Sequence, residues 1–144
     1  MIQLKIAGRV ISKKNGRNLF IRNGRQMNLP KKSYKAYEAS AIEQLRFYSL
    51  TTPTITKPVR VYYNFYIKGK WDIDVDNAEA SINDVLQKSG IIEDDALIYS
   101  TVTNKYRGAE ECNTYLSIEL LGPEEVAQMQ DHKNHRGFTK GRHK

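Results

Sequence analysis

The chain has almost no cysteine and no long apolar run. Cys112 is the single cysteine among 144 residues, so no disulfide can form within the chain, and no histidine lies near it in sequence to activate it as a nucleophile. No apolar stretch approaches the ~18 residues of a membrane span, and the N-terminal MIQLKIAGRV lacks the apolar core of a signal peptide. We therefore expect a cytoplasmic protein without membrane association.

Acidic residues are absent from the first 37 positions, where ten lysines and arginines occur. By contrast, the segment 72–95, DIDVDNAEASINDVLQKSGIIEDD, holds eight of the 16 acids and only one basic residue, in a chain of net charge +7. Because clustered carboxylates repel one another, they persist where a cation lies between them, most simply a divalent metal ion. Carboxylates and metal in a basic protein indicate chemistry on a polyanion, with nucleic acid the first candidate.

Hydrophobic periodicity predicts one α/β (α+β) domain over residues 1–121, with a mixed sheet and two main helices. A basic and flexible tail, 122–144, follows it, with a short helix from Pro123. LFIR and RQMNL flank Asn23-Gly24, which indicates a type I′ hairpin turn. The expected strands are 2–7, 59–68, 96–106 and 113–121, the last two antiparallel; the expected helices are 33–49, with Ser33 as N-cap, and 77–89, ending at Gly90.

The cations of the N-terminal segment are candidates for phosphate contacts. Ten cations without one acid favour a shared role in binding nucleic acid over a merely solvated basic face. The candidates in and around the predicted hairpin are Lys13, Lys14, Arg17, Arg22 and Arg25.

The acidic motif does not fit a calcium loop. Counted from Asp72, the sixth position is Asn77 where the calcium loop needs glycine, and the twelfth is Asn83 where it needs glutamate.

A carboxylate pair two residues apart at the end of a strand suits a hydrolytic metal site instead. Side chains at such spacing project to the same side of an extended backbone, so Asp74 and Asp76 can share one ion. Asp94 or Asp95 could complete an oxygen-ligand set for Mg²⁺ or Mn²⁺, which would polarise a scissile phosphate and activate water. Asp76 followed by Glu79 also resembles a capping box, which would make Asp76 an ordinary N-cap.

The order D-x-D-N, amphipathic helix, Lys-x-Gly, apolar pair and D-D resembles the RusA-type Holliday-junction resolvases. The interval from 76 to 95 matches as well, and a looser likeness extends over residues 1–121, with the tail outside it. In this sequence the elements are Asp74, Asp76, Asn77, Lys88, Gly90, Ile91-Ile92 and Asp94-Asp95.

This resemblance implies a small endonuclease, an intertwined homodimer, that cuts four-way DNA junctions by paired nicks in recombination and repair. It implies dependence on Mg²⁺ or Mn²⁺, with Asp74, Asp76 and Asp95 as catalytic carboxylates and metal ligands. The family's basic, asparagine-containing N-terminal segment adds Asn15 to the expected DNA contacts. No protein partner other than a second copy is implied.

Two positions depart from the family pattern. The lysine expected one helical turn after the second aspartate is replaced by Ala80, and the basic residue expected before DxDN is replaced by Ile73. Lys70, slightly upstream, is a candidate DNA contact. Nearby cations that could replace the family's lysine are Lys70, Lys88 and Lys105. Lys105 is the candidate catalytic residue, since it lies near the end of the strand that follows Asp95.

Two other functions stay open. A junction-binding protein with a degenerate site would hold DNA without cutting it, and a basic RNA-binding module would use its acids only structurally.

Overall fold

The structure, a computed structural model, describes residues 1–13, 21–22, 25–26 and 29–130. It is a mixed four-stranded sheet accompanied by four helices and a small separate hairpin. The strands are β1 (Ile2–Ala7), β2 (Ile21–Arg22), β3 (Arg25–Gln26), β4 (Val59–Lys68), β5 (Ile98–Ala109) and β6 (Asn113–Leu120); the helices are α1 (Leu29–Gln44), α2 (Arg46–Thr51), α3 (Val75–Lys88) and α4 (Pro123–Gln130), and Asp95–Leu97 form one 3-10 turn.

The sheet has the strand order β1-β6-β4-β5, with β4 pairing antiparallel to β6 and parallel to β5. β4 is an inner strand of this sheet, and it alternates strictly between a buried and a half-buried face, so that one of its sides faces the core. Its buried residues are Val59, Val61, Tyr63, Phe65 and Ile67.

The strands at 2–7 and 59–68 are confirmed, and so is the short helix from Pro123. In the predicted hairpin, Arg22 lies opposite Arg25 in an antiparallel pair, while Asn23-Gly24 lies outside the described residues, so the turn type stays a prediction. The last two strands do run in opposite directions. They are not neighbours, however, because β4 lies between them.

The prediction that Ser33 caps the first long helix is wrong. α1 begins at Leu29, so Ser33 lies inside it, and Pro30 is the second helical residue. Proline is tolerated there because the first turn of a helix has no acceptor for its N–H groups. The helix expected to run to residue 49 is also interrupted, since Leu45 separates α1 from α2.

α3 packs an apolar face on the sheet and ends in a glycine cap. Its buried apolar residues, Ala78, Ile82, Val85 and Leu86, are all at 0% exposure. Gly90 has φ +81°, and the N–H groups of Gly90 and Ile91 donate to the carbonyls of Gln87 and Leu86. This pair of bonds is the Schellman ending that favours glycine, and it confirms the predicted stop at Gly90.

The segment that follows β1 is fastened to α3 by one buried hydroxyl. Ser81 Oγ donates to the carbonyl of Ile11 at 2.6 Å and accepts from the backbone N–H of Lys13 at 3.2 Å. Ser81 is fully buried, and Val10 and Ser12 are also buried, so the chain reaches its cation-rich stretch from a fixed point on α3.

No helix in the described ranges is long and apolar enough to cross a membrane.

We expect Ser81→Ala to lower the free energy of unfolding by about 1–3 kcal/mol, because it leaves the Ile11 carbonyl and the Lys13 N–H without their partner. Urea unfolding followed by circular dichroism measures the change. Ser49→Ala is the control, since its hydroxyl bonds only to the Arg46 carbonyl of its own helix. Equal stability losses in the two variants would contradict a special role for Ser81.

Candidate active site

The first two candidate carboxylates lie at the N-terminus of α3. Asp74 is the N-cap, with extended backbone (φ −66°, ψ 143°) and no capping hydrogen bond from its side chain. Asp76 is in the first turn and accepts the N–H of Asn77 at 3.1 Å. Both are exposed and face the positive end of the helix dipole, which stabilises carboxylates.

Two expectations about this pair are wrong. Asp76 is not the N-cap, because the helix begins at Val75 and Asp74 occupies that position. For the same reason the two carboxylates do not project from one extended strand end, since the backbone has turned helical between them. Their role as metal ligands stays a prediction.

Glu79 does not complete a capping box. Its Oε2 accepts a hydrogen bond from the Thr103 hydroxyl on β5 instead of reaching back to the helix N-terminus. Tyr63 is directly opposite Thr103 in the β4–β5 register, so this contact ties α3 to the two parallel strands.

The turn after α3 distinguishes Asp95 from Asp94. Ile91 and Ile92 are buried, and Ile92 forms a bridge with Ile55 that fixes the turn. Asp94 caps the 3-10 turn by accepting the N–H of Ala96 at 2.9 Å. The Asp95 carboxylate forms no hydrogen bond or ion pair within the described part of the chain, while its backbone N–H donates to Gln87 Oε1 at 3.0 Å.

Four polar residues at helical spacing, Asp76, Glu79, Asn83 and Gln87, form what we call the polar stripe of α3. Glu79 contacts β5, and Gln87 holds the backbone of Asp95. Asn83 accepts a hydrogen bond from the buried Tyr63 hydroxyl at 2.5 Å. The polar stripe therefore runs from Asp76 at the start of α3 toward Asp95 after its end.

Burial and nearby charged side chains shift the pKa of the Tyr63 phenol. Burial raises its pKa above the ordinary value, and the negative charge of Glu79 raises the pKa further. The Asn83 hydrogen bond acts in the opposite direction, and the charge of Asp95 again raises the pKa. Glu79 and Asp95 thus lie close enough to act on one buried group.

Lys105 lies against the loop that carries the motif. Its ammonium donates to Asp72 Oδ1 at 2.8 Å and to the carbonyl of Ile73 at 3.0 Å, and Arg107 approaches Asp72 Oδ2 at 3.8 Å. Hydrogen bonding to Lys105 is the main cause that lowers the pKa of Asp72. Ile73 is itself buried, which accounts for an apolar residue where the family has a basic one.

The predicted DNA contacts are described only in part. Lys13 forms an ion pair with Asp84 at 3.4 Å, and Lys70 is exposed in the turn before Asp72. For Arg22 and Arg25 the structure gives the backbone pairing alone. Lys14, Asn15 and Arg17 lie outside the described residues.

A contact that sequence reasoning missed stacks Arg9 on Trp71. The guanidinium carbon lies 3.9 Å from the ring centroid, beside the motif loop. Only the position of Trp71, immediately before Asp72, could have drawn attention to it.

Of the fifteen acids in the described ranges, six form salt bridges and nine do not. Asp74, Asp76 and Asp95 are among the nine, together with Glu79, Glu93, Asp94, Glu110, Glu111 and Glu124. The six that form salt bridges are Glu38, Glu43, Asp72, Asp84, Glu119 and Glu125. Over the same described ranges, no three His, Cys, Asp or Glu side chains converge closely enough to hold a metal ion.

A family model described as Endodeoxyribonuclease RusA matches residues 9–119. No curated protein shows a significant match to the chain. The matched range contains the D-x-D-N motif, all of α3 and the Asp94-Asp95 pair, and it ends just before the last residue of β6.

We expect the pKa of Asp72 to rise toward the ordinary aspartate value in Lys105→Met, because that variant loses the main cause of the lowered pKa. In the wild type the folded-state pKa lies below the unfolded one. The pairing therefore stabilises the fold above the unfolded pKa, and this stabilisation is lost as pH falls through the folded one. Carbon-detected NMR titration of the Asp72 carboxyl group measures its pKa in the wild type and in the variant.

Arg107→Met is the matched control, because Arg107 is farther from Asp72 and contributes least among the causes of the shift. An unchanged Asp72 pKa in Lys105→Met would show that the ion pair does not form in solution.

Proposed function

Because the chain belongs to the RusA family of Holliday-junction endonucleases, we propose that it resolves four-way DNA junctions by paired nicks, as a metal-dependent homodimer. The observation that carries the proposal is the match of residues 9–119 to that family, a range that contains the acids of the motif. The basic protein leaves Asp74, Asp76 and Asp95 without a described cationic partner, at the positions where the family pattern has its acids. A four-way junction offers two symmetry-related strands, and a two-fold dimer supplies two equivalent sites.

The donor chemistry of these residues fits Mg²⁺ or Mn²⁺. Both ions prefer hard oxygen ligands, and three exposed carboxylates are such ligands. The Asp74 side chain forms no capping hydrogen bond at the start of α3. Asp94, rather than Asp95, caps the 3-10 turn. The three carboxylates do not converge within the described residues, and α3, ~20 Å long, separates Asp74 and Asp76 from Asp95, so a change of rotamer alone would not bring all three to one ion.

Bound at these carboxylates, the ion would polarise the scissile phosphate and lower the pKa of an attacking water. The protein would position the carboxylates and would contact the DNA phosphates with cationic side chains. Asp74 and Asp76 are fixed by the first turn of α3, while the buried pair Ile91-Ile92 fixes the turn that carries Asp95. Lys13, beside Asp84 of α3, and Lys70, in the turn before Asp72, are exposed cations that could contact phosphates.

Lys105 is the cation best placed to replace the family's missing lysine. Its ammonium touches the backbone carbonyl of Ile73, directly before Asp74. Contact with Asp72 holds it at the loop, and a phosphate arriving beside Asp74 would compete with Asp72 for the same ammonium. A preorganised cation there would stabilise the negative charge that develops on the phosphate.

A second function, junction binding without cleavage, is favoured by one observation. Ala80, which stands at the family's lysine position, is exposed on α3 and leaves no cation on that turn. Cleavage of four-way junction, duplex DNA and RNA with and without Mg²⁺ separates resolution from binding alone and from an RNA-binding role.

We expect Asp74→Asn and Asp76→Asn to abolish junction cleavage while leaving junction affinity equal to or tighter than that of the wild type. Each change removes a carboxylate from the metal and a negative charge that repels the phosphate backbone. A supercoiled plasmid that extrudes a cruciform gives the readout, because paired nicks yield linear DNA and single nicks yield open circles. Junction affinity is measured in Ca²⁺.

Glu43→Gln is the charge-matched control, since Glu43 is exposed on α1 and pairs only with Arg46. Wild-type cleavage rates in either aspartate variant would rule out that aspartate as catalytic. Open circles as the sole wild-type product would contradict paired cutting by a dimer.

We expect Lys105→Met to slow cleavage by ~100-fold or more, as the loss of one preorganised charge does. Conversely, Ala80→Lys should accelerate cleavage, because it places an ammonium one turn beyond Asp76 at almost no cost in helix propensity. Single-turnover rates on a saturated junction measure both effects.

Ala39→Lys is the control for the second change, because it adds the same charge at an exposed position of α1. Equal acceleration by Ala39→Lys and Ala80→Lys would mean that general DNA attraction, rather than a restored catalytic cation, explains the gain.

A further inference from the structure

The side of the sheet that faces away from α1 and α3 has no described helix packed across it, and we call it the open face. The other side is buried, and alternate residues of β4 such as Val61 and Phe65 belong to the core there. Among the described contacts, α4 meets the open face at one end, where Glu125 pairs with Arg60 at 3.1 Å. The centre of the open face consists of Tyr62, Asn64, Tyr66, Val102, Tyr106 and Tyr115.

The aromatic side chains at this centre contact one another but are not covered. Tyr66 stacks on Tyr106 with ring centroids 4.7 Å apart, and it meets Tyr115 edge-on at 5.5 Å. Tyr106 is nevertheless 43% exposed, Val102 41% and Tyr115 40%. Within the described ranges the hydroxyls of the three tyrosines form no hydrogen bond, so they are left for water or for a facing molecule.

The centre of the open face carries no charge, in a chain where 27% of the residues are charged. The cations of this face lie at its margins, with Lys5 on the edge strand β1 and with Arg60 and Lys68 at the two ends of β4. Arg60 is already paired with Glu119 and Glu125. A phosphate backbone needs unpaired cations along its path, whereas the core of a protein interface is rich in tyrosine and poor in charge. The open face therefore fits a protein surface better than nucleic acid.

The parallel pairing and the area of the sheet favour a second copy of the chain as the cover. β4 and β5 are parallel, and parallel strands are typically covered on both faces. Ten residues of β4 at ~3.3 Å each, and four strands ~4.8 Å apart, give a flat area of ~600 Å². Two such faces together bury ~1,200 Å², more than the ~1,000 Å² that a specific interface needs. A two-fold dimer brings the same patch of both copies together.

We propose that two copies of the chain pack the open faces of their sheets against each other, with Tyr66, Val102 and Tyr106 at the centre of the interface. The inference rests on the homodimer of the proposed function and names the surface that forms it. The two sheets would lie ~10 Å apart, with α1 and α3 of each copy on the outside. The candidate carboxylates at the start of α3 would then stay accessible to DNA on both copies.

Sedimentation equilibrium of the full chain over a range of concentrations measures the dissociation constant of the dimer. Val102→Lys should raise this constant by ~100-fold or more, because two like charges would meet in a desolvated interface. Tyr106→Ala should raise it by ~10-fold or more, since it removes a central aromatic contact. Thr101→Lys is the matched control, because it adds the same charge at an exposed position on the opposite side of β5 and should leave the constant unchanged.

The remaining outcomes separate this inference from the proposed function. A wild-type dimer whose dissociation constant is unchanged in Val102→Lys and Tyr106→Ala overturns the inference and leaves a dimer formed by another surface. A wild type that is monomeric at every concentration overturns the inference and the proposed homodimer together. A dimer that dissociates as expected in the variants, while the wild type cuts no junction, overturns only the proposed nuclease.

Nucleic acid is the alternative occupant, and Val102→Lys distinguishes it as well. Tighter binding of a single-stranded oligonucleotide by Val102→Lys than by Thr101→Lys, at an unchanged dimer dissociation constant, would assign the open face to nucleic acid and overturn the inference. If circular dichroism shows that Val102→Lys does not fold, Tyr106→Ala decides: a dissociation constant equal to that of the wild type overturns the inference.

Discussion

The packing of α3 across β4 and β5 sets the orientation of the candidate carboxylates that begin this helix. Its four buried apolar side chains set the rotation of the helix about its axis, and a slip by one residue would turn every side chain by ~100°. With the apolar face against the sheet, Glu79 of the polar stripe meets Thr103 of β5 and Asn83 meets Tyr63 of β4. Truncating a buried leucine such as Leu86 typically costs ~2–5 kcal/mol, so the core holds this rotation firmly.

Local sequence patterns predicted the bounds of the strands better than the order in which the strands lie side by side in the sheet. β4 was predicted with correct bounds because its alternation is a property of ten consecutive residues. Which strand lies beside it depends on how the chain returns after α3, and alternation within β5 or β6 carries no information about that. The predicted start of α1 was wrong for a different reason, since Pro30 fits either the end of a loop or the first turn of a helix.

At the candidate site, too, local spacing was predicted from the sequence, whereas contacts between distant segments were not. The spacing of Asp74, Asp76 and Asp95 was visible in the sequence, as was the chance that Lys105 comes near them, and the structure brings Lys105 to the motif loop. Glu79 was interpreted as half of a capping box, because an acid three residues after an aspartate is the pattern of that motif. Its contact with Thr103 follows from the β4–β5 register, which no local pattern specifies.

The distribution of charge links metal and DNA binding in the proposed function. Lys13, Lys88 and Lys105 each pair with an acid outside the candidate carboxylates, so these cations neutralise carboxylates that are not candidate ligands. The candidate carboxylates would then repel both one another and a phosphate backbone. A divalent ion among them would relieve both repulsions, and by linkage DNA would raise the affinity for the ion by the same factor. Metal and junction would therefore bind cooperatively, because each lowers the repulsion that opposes the other.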